Sequence, residues 1–422
     1  MIHHWTRLFS SLLSPRTCRM TAYANSQGML IKMFARFLTA RKLFTVFTLT
    51  GLGLGLSACE DTPSSGPRID TSAPVPVALL LPIGSGDPND ALLSQSLENA
   101  ARMAIADLNG ARIDLRVYDT AANPDIAAAQ AQLAVDSGAK IILGPLYSAS
   151  ATAVGAAVAD DRINVLSFSN NTTIAGGNVF VLGHTFENTA ERLTRFATRQ
   201  GLDMITLMNA TDTSGRIAGS AVSQAALAAG GTVMANISYP LTQEGVIDAI
   251  PQVREAIEET QSNVIFLTSN TAGALPFLSQ LLPEAGVDPE EVQYIGLTRW
   301  DIPAQTLELP GIQGGWFALP DPDRTAAFEA RYEIAYGDKP HRFGSLAYDG
   351  IAAIGALVSS NGADALTTTA LTQLKGFEGV DGVFRLRPDG TIERGLAVAE
   401  VIDEQVVVID PAPQLFSVAG LQ

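Results

Sequence analysis

The stretch from Ile141 to Asn171 constrains the fold more than any other part of the chain. It reads IILGPLYSASATAVGAAVADDRINVLSFSNN, in which two short apolar runs flank an Ala-rich segment. The first run ends at Gly144-Pro145 and the second covers Asn164 to Phe168. Short apolar runs bounded by turn residues predict buried strands. We therefore expect a strand, a helix and a second, parallel strand, which is the βαβ unit of a doubly wound sheet.

Polar side chains follow both of these strands. Tyr147 and Ser148 follow the first strand, and Ser148 or Ser150 can cap the helix after it. The second strand ends in the stretch 167–171, which carries four polar side chains. Parallel strands end at one edge of the sheet, where open α/β folds bind ligands, and the free N–H groups of a helix N-terminus suit a carboxylate. The same residues also serve as helix caps and turns that bind nothing, so both interpretations stay open.

The same alternation of strand and helix runs along the rest of the chain. It begins with a strand at Val77 to Leu81 and starts a second series after Gly183. A chain of 422 residues exceeds the size at which a single core stops growing, so we expect two lobes. We assign about 75–184 and 314–372 to lobe 1, and about 185–313 and 373–422 to lobe 2. Repeated crossing between the lobes would form a hinge, and Pro388-Asp389-Gly390 predicts the turn of an antiparallel hairpin.

Residues 1–58 are typical of an export segment. Arg36, Arg41 and Lys42 precede an uncharged run that ends at Ala58, and this run has the length of a signal-peptide apolar region. It is too short for a comfortable bilayer span. A start at Met29 or Met33 would give a signal peptide of ordinary length.

The end of this segment, Leu-Ser-Ala-Cys, resembles the lipobox of bacterial lipoproteins. The resemblance implies cleavage before Cys59 and lipidation of Cys59, whereas the alternative is a signal peptide followed by a chance cysteine. Residues 59–74 are rich in Asp, Ser, Pro and Gly, and we expect them to form a flexible tether.

Charge and composition exclude several function classes. Residues 1–58 hold seven of the 27 Lys and Arg residues and none of the 43 Asp and Glu residues. The remainder has 20 bases and a formal charge of −23, which argues against nucleic acid as a partner. Beyond residue 58 the histidines are His184 and His341, and no GxSxG elbow or His/Cys metal spacing occurs. We therefore expect a non-enzymatic protein with no cofactor and no metal.

Four segments give the chain a resemblance to a known family. They are LLLPIGSG at 79–86, AIADLNG at 104–110, IILGPLYSA at 141–149 and NVLSFSNNTT at 164–173. Together they resemble the type I periplasmic binding proteins of the leucine and branched-chain amino acid receptor kind. The resemblance implies an α/β fold with two Rossmann-like lobes, parallel sheets and a hinge of several crossovers. The stretches 168–183 and 295–304 resemble a narrower group, the penicillin-binding protein activator lipoproteins.

The resemblance also implies an amino-acid site between the lobes. Ser148 matches the serine that meets the ligand carboxylate, Ser169 and Asn171 fall at the tip of the next strand, and Asp301 matches the acid that meets the ammonium. Ser214 stands where receptors often have a covering aromatic residue, and Asn171 replaces the usual threonine. The ligand-binding residues that we expect are Ser85, Tyr147, Ser148, Ser169, Asn171, Asn270 and Asp301, and Trp300 is a further candidate for an aromatic contact.

Two functions are consistent with this resemblance. The first is a lipid-anchored periplasmic lipoprotein that regulates a peptidoglycan synthase, which the narrower resemblance and the missing covering aromatic favour. The alternative is the substrate-binding receptor of an ABC transporter, with the transporter permease and a small amino-acid-like ligand as its partners. Ser148 and Asp301 at receptor-like positions favour the alternative. We expect the lipid anchor to lie in the outer or inner membrane.

Overall fold

The computed structural model describes residues 66–416. The predicted export segment and Cys59 lie outside these residues. Residues 66–74 belong to the expected tether, but they pack on the protein. Ile69 is buried in the first core, and its N–H donates to the carbonyl of Ala363 over 2.9 Å. The prediction of a flexible tether is wrong for this part, because one apolar side chain and its backbone bond hold the segment in place.

The first lobe is built around a parallel sheet of five strands in the order β2-β1-β3-β4-β5. Its strands are β1 (Val75–Leu81), β2 (Ile113–Asp119), β3 (Ile141–Leu143), β4 (Val165–Ser167) and β5 (Val179–Val181). Its helices are α1 (Pro88–Asp107), α2 (Pro124–Asp136) and α3 (Ser148–Ala157). The pairing of β3 with β4 in parallel confirms the predicted βαβ unit. The alanines of α2, together with Val154 of α3 and Val158 just after it, cover one face of the sheet.

The second lobe has a larger sheet of seven strands. Its first five strands are β6 (Met204–Ala210), β7 (Thr232–Tyr239), β8 (Val264–Leu267), β9 (Gln293–Gly296) and β10 (Trp316–Leu319). Its helices are α4 (Phe186–Arg199), α5 (Thr213–Ala229), α6 (Gln243–Thr260) and α7 (Leu275–Glu284). Helices α4 and α5 cover one face, and α6 and α7 cover the other, so buried side chains fill both sides of the sheet.

The chain then returns to the first lobe. This return comprises α8 (Pro322–Tyr336), α9 (Gly344–Asn361), α10 (Thr368–Leu371), β11 (Phe377–Gly379), β12 (Gly382–Leu386) and β13 (Ile392–Arg394). Helix α9 packs close to the sheet, because an added Cβ at Gly350 would lie 2.4 Å from Leu143. Strands β11–β13 form a small antiparallel sheet whose Phe377, Phe384 and Ile392 join the core of the first lobe. The predicted turn at Pro388-Asp389-Gly390 joins β12 to β13 and is confirmed.

The last two strands, β14 (Ala397–Ile402) and β15 (Gln405–Asp410), pair antiparallel in the seven-stranded sheet. The chain therefore passes between the lobes at 182–185, 320–321 and 395–396. Two of the predicted lobe boundaries are wrong. Residues 314–319 were expected in the first lobe, but β10 pairs with β9, and residues 373–395 were expected in the second lobe. The reason is that an all-apolar strand such as Trp316–Leu319 fits either sheet, so its sequence does not specify its neighbour.

Candidate functional site

A cavity of about 380 Å³ lies between the two lobes. Its volume falls within the range of small-molecule sites. Residues at the carboxyl ends of three strands line it. Asn170 follows β4, Asn270 and Thr271 follow β8, and the stretch 297–299 follows β9. Open α/β sheets bind ligands at this edge. The cavity is therefore placed where both lobes can contact one ligand.

Apolar side chains form much of the cavity wall. They come from α4, from the ends of β9 and β10, from α8 and from the segment before α9. Three of them are aromatic: Phe186, Phe328 and Phe343. Phe328 is buried and packs edge-on against Tyr348, with ring centroids 5.7 Å apart. The walls suit a ligand with an apolar or aromatic body.

Arg299 and His184 at the cavity already have acidic protein partners. Arg299 lines the cavity and donates two hydrogen bonds to the carboxylate of Asp301, one of them 2.8 Å long. His184 lies at the first crossover, and its Nε2 is 3.1 Å from Oδ2 of Asp381. Asp381 also accepts a hydrogen bond of 2.7 Å from Ser345.

A buried ion pair lies behind this group and connects the crossovers. Arg394 Nη1 donates to Asp349 Oδ2 over 2.7 Å, and Arg394 Nη2 donates to the carbonyl of Leu182 over 2.9 Å. Arg394 precedes the third crossover and Leu182 opens the first. Burial raises the pKa of Asp349 to about 6, against the opposing effect of Arg394. Burial also acts to raise the pKa of Asp381, but His184, Arg394 and Ser345 outweigh it and lower the pKa.

Of the seven predicted ligand-binding residues, Asn270 lines the cavity. Ser169 is buried, and its Oγ accepts from the N–H of Asn171 over 3.1 Å. Asn171 caps the short helical turn 172–174, and Ser85 accepts from the N–H of Asp87. These three residues adopt the turn and cap roles that the sequence analysis kept open.

The other predicted residues also have protein partners or positions away from the cavity lining. Tyr147 donates a 2.5 Å hydrogen bond to Asp90, which with burial raises the pKa of Tyr147 to about 12. Ser148 is the first residue of α3, Asp301 is held by Arg299, and Trp300 is fully buried in the second lobe. Burial rules out the aromatic contact that we considered for Trp300.

Sequence reasoning missed several residues that line the cavity. They include Thr325 and Glu329 on α8, and Arg342 and Phe343 before α9. The signal was the stretch Pro-His-Arg-Phe at 340–343, a basic and aromatic cluster immediately before a helix. Within residues 66–416, no group of His, Cys, Asp and Glu residues is positioned to hold a metal ion. In the same range no helix is both long and apolar enough to span a membrane.

Two α/β lobes joined by three crossovers, with a cavity between their strand ends, define the class of bilobal solute-binding proteins. A family model described as Periplasmic binding protein matches residues 74–405, which is more than half of the chain. The chain therefore belongs to the periplasmic binding proteins. This agrees with the family that the sequence resembles. Members of this class bind their substrates without catalysing a reaction.

Solved structures are similar to this chain over about four fifths of its length. A branched-chain amino acid ABC transporter periplasmic ligand-binding protein from Burkholderia xenovorans LB400 has a TM-score of 0.63 at 19% identity, covering 80% of this chain and 96% of its own. An ABC transporter substrate-binding protein from Sphaerobacter thermophilus has a TM-score of 0.63 at 18% identity, covering 82% and 99%. One from Desulfitobacterium hafniense, in complex with Leu, has a TM-score of 0.59 at 18% identity, covering 80% and 100%. These likenesses show the fold.

One curated protein also matches, the uncharacterized protein RP748 of Rickettsia prowazekii (strain Madrid E). It is 28% identical over 110 residues, which is 26% of this chain and 29% of the relative. The chain thus matches less than a third of that relative's length, and the match carries no activity over.

Proposed function

We propose that this protein is the substrate-binding receptor of an ABC transporter and holds an amino acid or a similar small solute between its lobes. The observation that carries the proposal is the cavity of about 380 Å³, which residues of both lobes line. A ligand that contacts both lobes favours the closed arrangement by the free energy of those contacts. The transporter permease would then bind the closed form.

The ligands named for two of the structural neighbours support the role of a transport receptor. One neighbour was solved with Leu, and another, from Rhodopseudomonas palustris BisB5, was solved with 3,4-dihydroxy benzoic acid. Both ligands carry a carboxylate, on an aliphatic body in Leu and on an aromatic ring in the benzoic acid, and the walls of this cavity contain aliphatic and aromatic side chains. These names favour the receptor over the peptidoglycan synthase regulator that the sequence analysis preferred.

Attachment to a membrane through a lipid on Cys59 remains part of the proposal, as does the permease as partner. A Cys59→Ala variant tests the attachment. We expect it to move from the membrane fraction to the soluble periplasmic fraction while its lobes stay folded. Retention of the variant in the membrane fraction would contradict lipidation at this residue.

Thermal unfolding of the full chain with a panel of amino acids and small carboxylates tests the receptor role. A ligand that binds the folded state alone and is present at 100 times its Kd adds about 2.7 kcal/mol to the free energy of unfolding. We expect one class of solute to raise the melting temperature and the others to leave it unchanged. Failure of every solute in the panel to shift the transition would contradict the proposal, and capture of a peptidoglycan synthase would then favour the regulator.

A further inference from the structure

One wall of the cavity carries polar groups for which the described residues supply no hydrogen-bond or ion-pair partner. Thr325 and Glu329 lie four residues apart on α8 and therefore share one face of that helix. Arg342 lies in the segment before α9, and all three residues line the cavity. The hydroxyl of Thr325 is buried and has no hydrogen-bond partner among the described residues. We refer to Thr325, Glu329 and Arg342 as the α8 wall.

The two charges of the α8 wall are of opposite sign and are unpaired. Across residues 66–416, neither the Glu329 carboxylate nor the Arg342 guanidinium forms an ion pair. The other titratable side chains of this part of the cavity have protein partners, since Asp301 accepts hydrogen bonds from Arg299 and Asp381 lies 3.1 Å from His184. In particular, Asp301, which the family resemblance offers for an ammonium group, already binds a guanidinium.

The helix that carries Thr325 and Glu329 is fixed in place. Phe328, between them, and Tyr332, one turn further on, pack with Ala100 and Met103 of α1. The hydroxyl of Tyr336 donates to the carbonyl of Asn99 over 2.8 Å. The carboxylate is therefore presented from a rigid element, which favours selective binding because little order is lost when a ligand arrives.

The segment that carries Arg342 is fixed as well. The N–H of His341 donates to Ser96 Oγ of α1 over 2.8 Å, and the N–H of Gly344 donates to the carbonyl of His341 over 2.7 Å. The guanidinium of Arg342 lies 4.7 Å from the ring centroid of Phe343. Stacking of this kind orients the guanidinium and leaves its N–H groups available for a carboxylate.

Closure of the lobes around a ligand would make the two unpaired charges energetically costly. Closing removes water from the cavity, and a charge that loses water without gaining a partner is destabilised. A ligand that supplies an ammonium group to Glu329 and a carboxylate to Arg342 removes both penalties at once. A ligand with only one charge leaves the other residue uncompensated.

We infer that the α8 wall selects a ligand with one ammonium and one carboxylate group, with Glu329 binding the ammonium, Arg342 the carboxylate and Thr325 a further polar atom. The aromatic walls take the apolar part of the ligand. This inference rests on the proposed receptor function and names its substrate class and specificity residues. The inference therefore differs from the site that the family resemblance implies. Arg342 replaces Ser148 as the contact of the ligand carboxylate, and Glu329 replaces Asp301 as the contact of the ammonium group.

Three probes with the same apolar body test this assignment by isothermal titration calorimetry on the full chain in detergent. L-phenylalanine carries both charges, 3-phenylpropionate carries only the carboxylate, and 2-phenylethylamine carries only the ammonium. A hydrogen-bonded charge contact corresponds to roughly 10- to 100-fold in affinity. We therefore expect each singly charged probe to bind at least about 10-fold more weakly than L-phenylalanine. If L-phenylalanine does not bind, the same series is built on the amino acid that gives the largest thermal shift.

Single substitutions then separate the two contacts. We expect Glu329→Gln to weaken binding of the amino acid by roughly 10- to 100-fold, and to tighten binding of the carboxylate-only probe because no charge is then left uncompensated. Arg342→Gln should weaken binding of the amino acid and of the carboxylate-only probe, and should tighten binding of the amine for the same reason. Glu333→Gln, one turn along α8 on an exposed residue, and Lys375→Gln, on an exposed residue away from the cavity lining, are the matched controls. All four should keep the wild-type circular dichroism spectrum.

The outcomes separate this inference from the receptor proposal. An amino acid that binds with unchanged affinity to Glu329→Gln and Arg342→Gln would overturn the α8 wall and leave the receptor role standing. Loss of binding in Ser148→Ala or Asp301→Asn instead would overturn it in favour of the sites expected from the sequence. Equal or tighter binding of the carboxylate-only probe would overturn the ammonium contact. No binding by any amino acid would overturn the inference together with the choice of substrate class.

Discussion

The buried pair of Arg394 and Asp349 offers a sharp test of what stabilises the first lobe beside the crossovers. Asp349 is fully buried, and the side chain of Arg394 is 2% exposed. Asp349→Asn keeps the size of the side chain and an oxygen that can accept from the N–H of Val380, as Asp349 does over 2.8 Å. It removes the negative charge and leaves Arg394 buried without a counter-ion.

We expect this substitution to lower the free energy of unfolding by about 3 to 5 kcal/mol, the usual cost of leaving one partner of a buried pair alone. For roughly 350 ordered residues, an unfolding entropy of about 2.1 cal/mol/K per residue converts this loss to about 4 to 7 °C in Tm. The double variant Asp349→Asn with Arg394→Met should recover part of the loss, because it no longer buries a lone charge.

Differential scanning calorimetry and urea unfolding followed by circular dichroism measure both quantities. Arg68→Met is the matched control, since it breaks an exposed pair with Asp364 in which the side chains are 77% and 57% exposed. Such a pair contributes little, so the control should leave Tm nearly unchanged. A loss under about 1 kcal/mol in Asp349→Asn would refute the reasoning, as would a double variant no more stable than the single one.

Three further predictions concern single residues. Burial and the charge of Arg342 lower the pKa of His341. The contribution of His341 to the free energy of unfolding is therefore complete above about pH 6.5 and is lost as the pH falls through the folded-state pKa. His341→Asn should flatten this part of the profile of Tm against pH, and an unchanged slope would contradict the prediction. Gly311→Ala should destabilise by about 1 to 3 kcal/mol in urea unfolding, because its Cβ would lie 1.6 Å from the carbonyl oxygen of Ser279; a wild-type midpoint would show that the backbone yields. Tyr147→Phe removes the hydrogen bond to Asp90 and should lower the free energy of unfolding by about 1 kcal/mol. Calorimetry should show no change in ligand affinity, and a large loss of affinity would place Tyr147 in the ligand site.

Local pattern was sufficient to predict most of the helices and strands, but not α10, β11 or β13. The run Ile141–Leu143 before Gly144-Pro145 could only be a buried strand, and its partner β4 was recognisable for the same reason. The assignment of strands to lobes failed at β10 and at β11–β13. Their apolar residues show burial, but the core that buries them is set by packing between segments far apart in the chain.

The sequence predicted that the site lies at the carboxyl edge of the sheets, but it did not predict most of the residues that line the cavity. Asn270, which the sequence analysis named as a candidate ligand contact, follows β8 and lies at the sheet edge where open α/β folds bind ligands. Glu329 lies in mid-helix and Arg342 lies in a loop, and only the packing of α8 against α1 brings them to the cavity. Asp301 matches a receptor acid by its sequence position, whereas in the structure its carboxylate accepts hydrogen bonds from Arg299, two residues before it.

The packing of residues 66–74 attaches the N-terminal end of the described chain to the first lobe. Ile69 is buried in the first core, and Arg112 donates a hydrogen bond to the carbonyl of Ser72. The chain therefore enters the described structure on the first lobe, and the second lobe is joined to this entry point only through the three crossovers. Relative movement of the lobes at these crossovers would leave the contacts of residues 66–74 with the first lobe unchanged.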